Sequence, residues 1–229
     1  IINDKKDIIA RIYQRRECID MKTNTIITIS RQYGSGGREI GKKLAEELEI
    51  PFYDKELLSR AAKDSGICEE LFENHDEKPT NSFLYSLVMD TYSFGYTSSS
   101  FTDMPINQKI FLAQFNAIKA IANEGPCVIV GRCADYALEE YSNCISVYIH
   151  SSMKNRIRRI AQKYDLTDAK AKDRITKTDK KRASYYNYYS NKKWGDASSY
   201  HMCLDSGRFG IDGCIAMIKN AIAQRESSE

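Results

Sequence analysis

The sequence predicts an α/β fold, a parallel five-stranded sheet with helices on both faces. Three observations carry that prediction. Short apolar strands without a two-residue period alternate with amphipathic helical stretches, the pattern of strands covered on both sides. The first of these strands runs into a glycine-rich turn that opens directly into a helix. Finally, Arg31, Asp54, Arg132 and Asp205 stand at the carboxyl ends of four strands, the edge on which such sheets bind ligands.

Residues 1–22 are polar and mildly helical and read as an N-terminal extension to a domain spanning 23–229. The first strand begins near Thr25 and ends in Ser30-Arg31-Gln32-Tyr33-Gly34-Ser35-Gly36-Gly37-Arg38-Glu39. Glycines there let the backbone approach a polyanion, while loop amides and the helix dipole point at phosphates. Gly34, Ser35, Gly36, Gly37, Arg38 and Glu39 are therefore the candidate phosphate binders. The usual pattern is GxxxxGK[S/T]. With Gly36-Gly37 in the Gly-Lys place, Arg31 replaces the first glycine, Gly37 the lysine and Arg38 the hydroxyl residue. With Gly37-Arg38 there, Gln32 stands first, Arg38 replaces the lysine and Glu39 the hydroxyl. Either Arg38 or Arg31, reaching back over the loop, would supply the charge the lysine normally brings.

The helix following the loop runs from about Gly37 to Leu48, with Ile40, Leu44, Ala45 and Leu48 on its core face. Pro51-Phe52-Tyr53 is a short strand ending at Asp54, a carboxylate suited to magnesium, a base or an acceptor hydroxyl, or to capping the next helix. Residues 55–107 read as an insert of short helices and a mobile polar loop. A long helix over 107–124 stops at Gly125-Pro126, and the strand Cys127-Val128-Ile129-Val130 ends at Gly131-Arg132. Arg132 there suits either a phosphate ligand or a structural salt bridge at the sheet edge. After the strand at Cys144–Ile149 come two basic helices, from Met153 and from Asp168 to Tyr189. A strand at His201–Leu204 and a helix over 211–224 close the chain.

Charge is unevenly spread. The formal net charge is only +3, yet residues 151–194 carry fourteen Lys and Arg against four Asp. Such a segment calls for an anionic partner, a phosphorylated small molecule or a nucleic acid. Arg174, Lys177, Lys181 and Arg182 share one helical face within it. Tyr185, Tyr186, Tyr188 and Tyr189 beyond them suit base stacking and core packing equally. Seven scattered cysteines without CxxC spacing indicate neither a disulfide framework nor a zinc site, and a reducing, cytoplasmic setting is expected. No apolar run approaches the roughly 20 residues needed to span a bilayer. The three histidines have no metal-ligand spacing, and no Ser-His-Asp or Cys-His constellation is present in the pattern.

The segments ISRQYGSGGREIGKKLAEEL, PFYDKELL, VIVGRCADY, DKKRASYYNYYSNKKWGD and LDSGRFGID, taken in order, resemble the cytidylate kinase-like family of P-loop kinases. The resemblance covers roughly 25–223. It implies a three-layer P-loop NTPase fold, with ATP phosphates over Gly34 to Glu39 and a basic lid over about 160–194. It also implies an acceptor held between Arg31, Asp54 and the turn from Arg132 to Asp135. In relatives that phosphorylate CMP a Gly-Arg-Asp turn contacts the nucleotide; here Asp135 stands three residues after Arg132.

Phosphoryl transfer asks for positioning and charge stabilisation, so Arg38, Arg174, Lys181 and Arg182 are the expected catalytic cations. The expected activity is ATP-dependent phosphorylation of a nucleoside monophosphate, CMP or dCMP first. Mg2+ is expected with ATP, although neither loop register offers a Ser or Thr ligand, so its protein contacts stay unassigned. Three readings compete: a kinase of a non-nucleotide metabolite, a nucleotide-binding module without turnover, and, least of all, a nucleic-acid binder. The oligomeric state is open, a homodimer included.

Overall fold

The computed structural model describes residues 23–54, 56–66 and 104–228. The extension at 1–22 and most of the insert, with its polar loop, lie outside the described residues. In chain order the elements are β1 (Ile26–Arg31), α1 (Gly37–Glu47), β2 (Phe52–Tyr53), α2 (Glu56–Ser65) and α3 (Ile106–Glu124). They continue with β3 (Val128–Val130), α4 (Ala134–Ala137), β4 (Cys144–His150), α5 (Met153–Tyr164), α6 (Asp168–Ser190), β5 (Met202–Asp205) and α7 (Ser206–Glu226).

The five strands form one parallel sheet in the order β2-β3-β1-β4-β5. β1 is central: Ile27 pairs with Val128 on one side and Ile145 on the other. The run Ile26-Ile27-Thr28-Ile29 is apolar almost throughout because both its faces are covered. Ile26 packs with Ile118 and Ile121 of α3 and Leu57 and Ala61 of α2. Ile27 and Ile29 pack with Ile40 and Leu44 of α1 and Cys214, Ile215 and Ile218 of α7. Helices on both faces of a parallel sheet make the three layers of a P-loop NTPase fold.

Local chemistry sets where helices begin. The Ser152 hydroxyl accepts from the Asn155 amide at α5, the Thr167 hydroxyl from Lys170 at α6, and the Asp205 carboxylate from Gly207 at α7. The last helix thus starts five residues ahead of the expected Ile211, with a break at Gly210 (φ 72°, ψ 178°). α6 has two characters. Its first half buries Ala171 and Ile175 against α5, whereas Tyr185, Tyr186 and Tyr189 enter an aromatic cluster with Phe111, Tyr148 and Tyr200. Tyr189 stacks on Phe111 with ring centroids 3.9 Å apart. Packing thus accounts for three of the four tyrosines near its end.

Candidate active site

The phosphate loop joins β1 to α1. Gly34 and Gly36 are left-handed, at φ 82° and 86°, and the Ser35 hydroxyl and amide both donate to the Gln32 carbonyl. These contacts curl the loop so that Gly36 delivers the chain into the first turn of α1. The loop is pinned from outside as well. The Tyr33 amide donates to Asp179 of α6 at 2.7 Å, Arg156 of α5 pairs with the same carboxylate, and Ser206 donates to the Ser35 carbonyl at 2.5 Å.

Above the loop lies a cavity of about 750 Å3. Its walls bring seven cations, Arg31, Arg38, Lys42, Arg132, Arg159, Lys163 and Arg182, against the carboxylates Asp54 and Glu39. A polyanion is the complementary guest, because clefts lined by one sign of charge focus the field upon it. Arg159 also pairs with Glu39, at 2.5 Å. A smaller space of about 10 Å3, roughly one water's worth, lies beside the first and is lined by Ser30, Gly131, Cys133, Tyr185, Tyr186 and Trp194. Arg31, Arg132 and Arg182 line both spaces and so form the wall between them.

Asp54 is the electrostatic hub. It is 5% exposed and receives Arg132 Nη1 at 3.0 Å and Arg38 Nε at 2.5 Å. Burial alone would raise its pKa. The Arg132 charge, the Arg38 hydrogen bond and the nearby Arg31 charge outweigh that and hold the carboxyl below the usual aspartate range. Arg132 reaches this position through an uncommon turn: Gly131, Arg132 and Cys133 are successive left-handed residues, at φ 80°, 55° and 55°. For the two non-glycines that conformation costs about 1–2 kcal/mol each. Strain of this kind persists where surrounding structure imposes it, and it concentrates at functional sites. Here Arg132 is clamped by Asp54 and by the Val130 carbonyl, at 3.1 Å.

The other expected site residues fall in different places. Arg182 lines the cavity, donates to the Arg31 carbonyl at 3.1 Å and sits 5.6 Å from the Tyr33 ring centre. Arg174 stands over the Tyr164 ring at 4.0 Å, outside the residues that line either space. Lys181 is exposed and lines neither. Asp135 is also outside both; it is buried, accepts the Tyr186 hydroxyl at 2.6 Å, and has its pKa pushed up to about 6 chiefly by burial. Lys42, Arg159 and Lys163 were not singled out in the sequence, where they pass for ordinary helix-surface charges. Their only signal is spacing: Lys42 lies one turn beyond Arg38, and Arg156, Arg159 and Lys163 follow one face of α5.

The donor set suits the phosphates of ATP: loop amides at a helix N-terminus and a cationic cavity. It suits a protein-held metal less well. Asp54 and Glu39 are already paired with arginines, neither register of the loop offers a hydroxyl ligand, and the described residues contain no cluster of three His, Cys, Asp or Glu able to hold an ion.

Comparison with known proteins agrees with this geometry. The chain is 23% identical over 203 residues to a cytidylate kinase of Pyrococcus horikoshii, covering 88% of this chain and 90% of that protein. A crystal structure of an uncharacterized protein from Eubacterium ventriosum is 31% identical, with a TM-score of 0.66 over 87% of this chain and 98% of that one. The model of the cytidylate kinase-like family matches residues 26–208. That span takes in the loop, Asp54, the strained turn at Arg132 and both basic helices, and the chain belongs to the cytidylate kinase-like family.

Proposed function

We propose that this phosphotransferase moves the γ-phosphoryl group of ATP to a nucleoside monophosphate, with CMP or dCMP the first acceptors. The observation that carries the reading is the cavity over the phosphate loop, large enough for two phosphorylated groups, in which Arg31, Arg38, Arg132 and Arg182 come together with Asp54. ATP phosphates would lie over Gly34 to Glu39, and the acceptor phosphate would meet Arg132 within the same cavity. An oxygen of that phosphate attacks the γ-phosphorus, and the bond to the β–γ bridging oxygen breaks. ADP leaves with that electron pair, and the product is a nucleoside diphosphate.

Negative charge spreads over the transferring oxygens, so pre-placed guanidinium groups stabilise the step without a protein nucleophile. Arg182 and Arg38 face that region, with Arg174 and Lys181 on the outer part of the same basic lid over 160–194. Magnesium would enter with ATP, held mainly by the phosphates. Asp54 and Glu39, the carboxylates lining the cavity, are the residues that would be within reach to support it. A cytoplasmic setting belongs to this reading. Among the described residues no helix is long and apolar enough to cross a membrane.

One observation favours a second reading, a non-nucleotide acceptor. Asp135, the carboxylate of the turn after Arg132, lines neither space and accepts from Tyr186 instead of standing ready to read a base edge. ADP release measured across nucleoside monophosphates and small phosphorylated or carboxylated metabolites separates the two. Turnover with CMP, lost in Arg132→Ala and Arg38→Ala, is the expected result. Turnover only with a metabolite installs the second reading, and ATP binding without any turnover leaves a binding module.

A further inference from the structure

The phosphate loop lacks its lysine, and the space around Gly37 shows why. A Cβ placed on Gly37 would lie 2.6 Å from the Arg31 Cβ and 3.2 Å from the Ile149 Cβ, so no side chain can leave that position while Arg31 is present. Gly37 is therefore glycine through crowding. At the other end of the arginine, a Cβ on Gly131 would meet Arg31 Nη1, a tip that can swing aside, while the left-handed φ of 80° asks for glycine there on its own account. The Arg31 side chain thus runs over Gly37 at its root and Gly131 at its head, and it ends on the wall between the two spaces, beside Asp54.

Gly36, left-handed and last before α1, takes the second glycine of GxxxxGK[S/T], and Gly37 falls where the lysine belongs. Counting back, Arg31 falls on the first glycine. Of the three altered positions, Arg31, Gly37 and Arg38, the first two lie against each other. We propose that cation and glycine have exchanged places in this loop: Arg31, projecting from the end of β1 through the room left by Gly37, is the group that contacts the transferring phosphoryl in place of the lysine. The exchange changes more than an address. Lysine brings a compact point charge, whereas an arginine fork binds two oxygens at once. Arg31 also borders the acceptor side, so its fork can hold the γ-phosphoryl group while its position follows the acceptor.

The inference rests on the kinase reading, and the test keeps the two apart. ADP release with the best acceptor and binding of inorganic tripolyphosphate, a probe with no base and no acceptor, would be measured for Arg31→Gly, Arg31→Lys, Gly37→Lys, Gly131→Ala and the double variant Arg31→Gly/Gly37→Lys, each checked by thermal melting. Losing one positioned charge donor costs about 10²–10³ in rate, and Arg31→Gly should fall in that range with weaker tripolyphosphate binding. Restoring the usual lysine alone, in Gly37→Lys, should damage activity comparably, because it displaces Arg31. The double variant rebuilds the usual pattern and should recover activity above both single variants; relief of crowding alone would lift it above Gly37→Lys but not above Arg31→Gly.

Gly37→Lys with parental activity, or a double variant no better than either single one, overturns the exchange. So does Arg31→Gly that binds tripolyphosphate as the parent does. Should the parent turn over no acceptor, the kinase reading fails while the tripolyphosphate arm still decides where the cation sits.

Discussion

A single buried carboxylate, Asp54, holds together groups that would otherwise repel. Asp54→Asn removes the carboxylate charge that pairs with Arg132, itself 5% exposed. Breaking one side of a buried pair costs about 3–5 kcal/mol, and chemical denaturation should read a loss of that order. Arg38→Ala should barely change stability, because the Arg38 side chain is 54% exposed and surface pairs contribute about 0–1 kcal/mol. The two variants thus separate the structural partner from the one available to a ligand.

Titration of Asp54 and Asp135 runs in opposite senses. Asp54 is held below the usual aspartate value of about 3.9, so the folded state binds fewer protons there. Its contribution is complete above that pH and is lost as pH falls through the lowered value. Asp135, pushed up to about 6, binds more protons folded than unfolded between about 3.9 and 6. Its charging opposes the fold as pH rises through that window. Melting temperature should therefore climb as pH is lowered from 7 towards 5, and Asp135→Asn should flatten that climb.

Helix starts and helix ends decide more of this site than helix interiors do. Gly36→Ala would put a left-handed alanine at the mouth of α1, at about 1–2 kcal/mol, with its Cβ 2.7 Å from Ile211 Cδ1. A fall in melting temperature of several degrees is expected for a chain of this size. At the far end of α6, Tyr189→Ala should cost about 3–5 kcal/mol, since that ring is 1% exposed and stacked on Phe111. Much at this scale was legible in the sequence. The five strands, the loop-to-helix junction and the basic helices from Met153 and Asp168 all follow from apolar period, glycine placement and caps. The start of α7 was not, because Gly207 and Gly210 weaken the helical pattern ahead of Ile211, whereas the Asp205 carboxylate captures the Gly207 amide and begins a helix there. The burial of Asp135 beneath Tyr186 was illegible for another reason: residues 51 apart meet only once α4 and α6 are packed.

The molecule as a whole is close to charge balance, yet its cations converge on one cleft. The sequence showed that excess as a property of residues 151–194, and the fold adds Arg31, Arg38, Lys42 and Arg132 from three other segments. Affinity for ATP should accordingly fall as KCl is raised from 50 to about 300 mM, as screening shortens below the ~8 Å reached near physiological salt. Substituting exposed lysines of α6 remote from the cleft, such as Lys172→Ala, should leave affinity nearly unchanged; isothermal titration at two salt concentrations checks both expectations. α6 carries a further consequence. It is one unbroken rod, with Asp179 and Arg182 gripping the phosphate loop and β1 while Tyr185 and Tyr186 wall the smaller space one turn on. A guest that tilted this rod in opening the space would act on the loop as well, and whatever it did to affinity at the loop would be returned to it in equal measure.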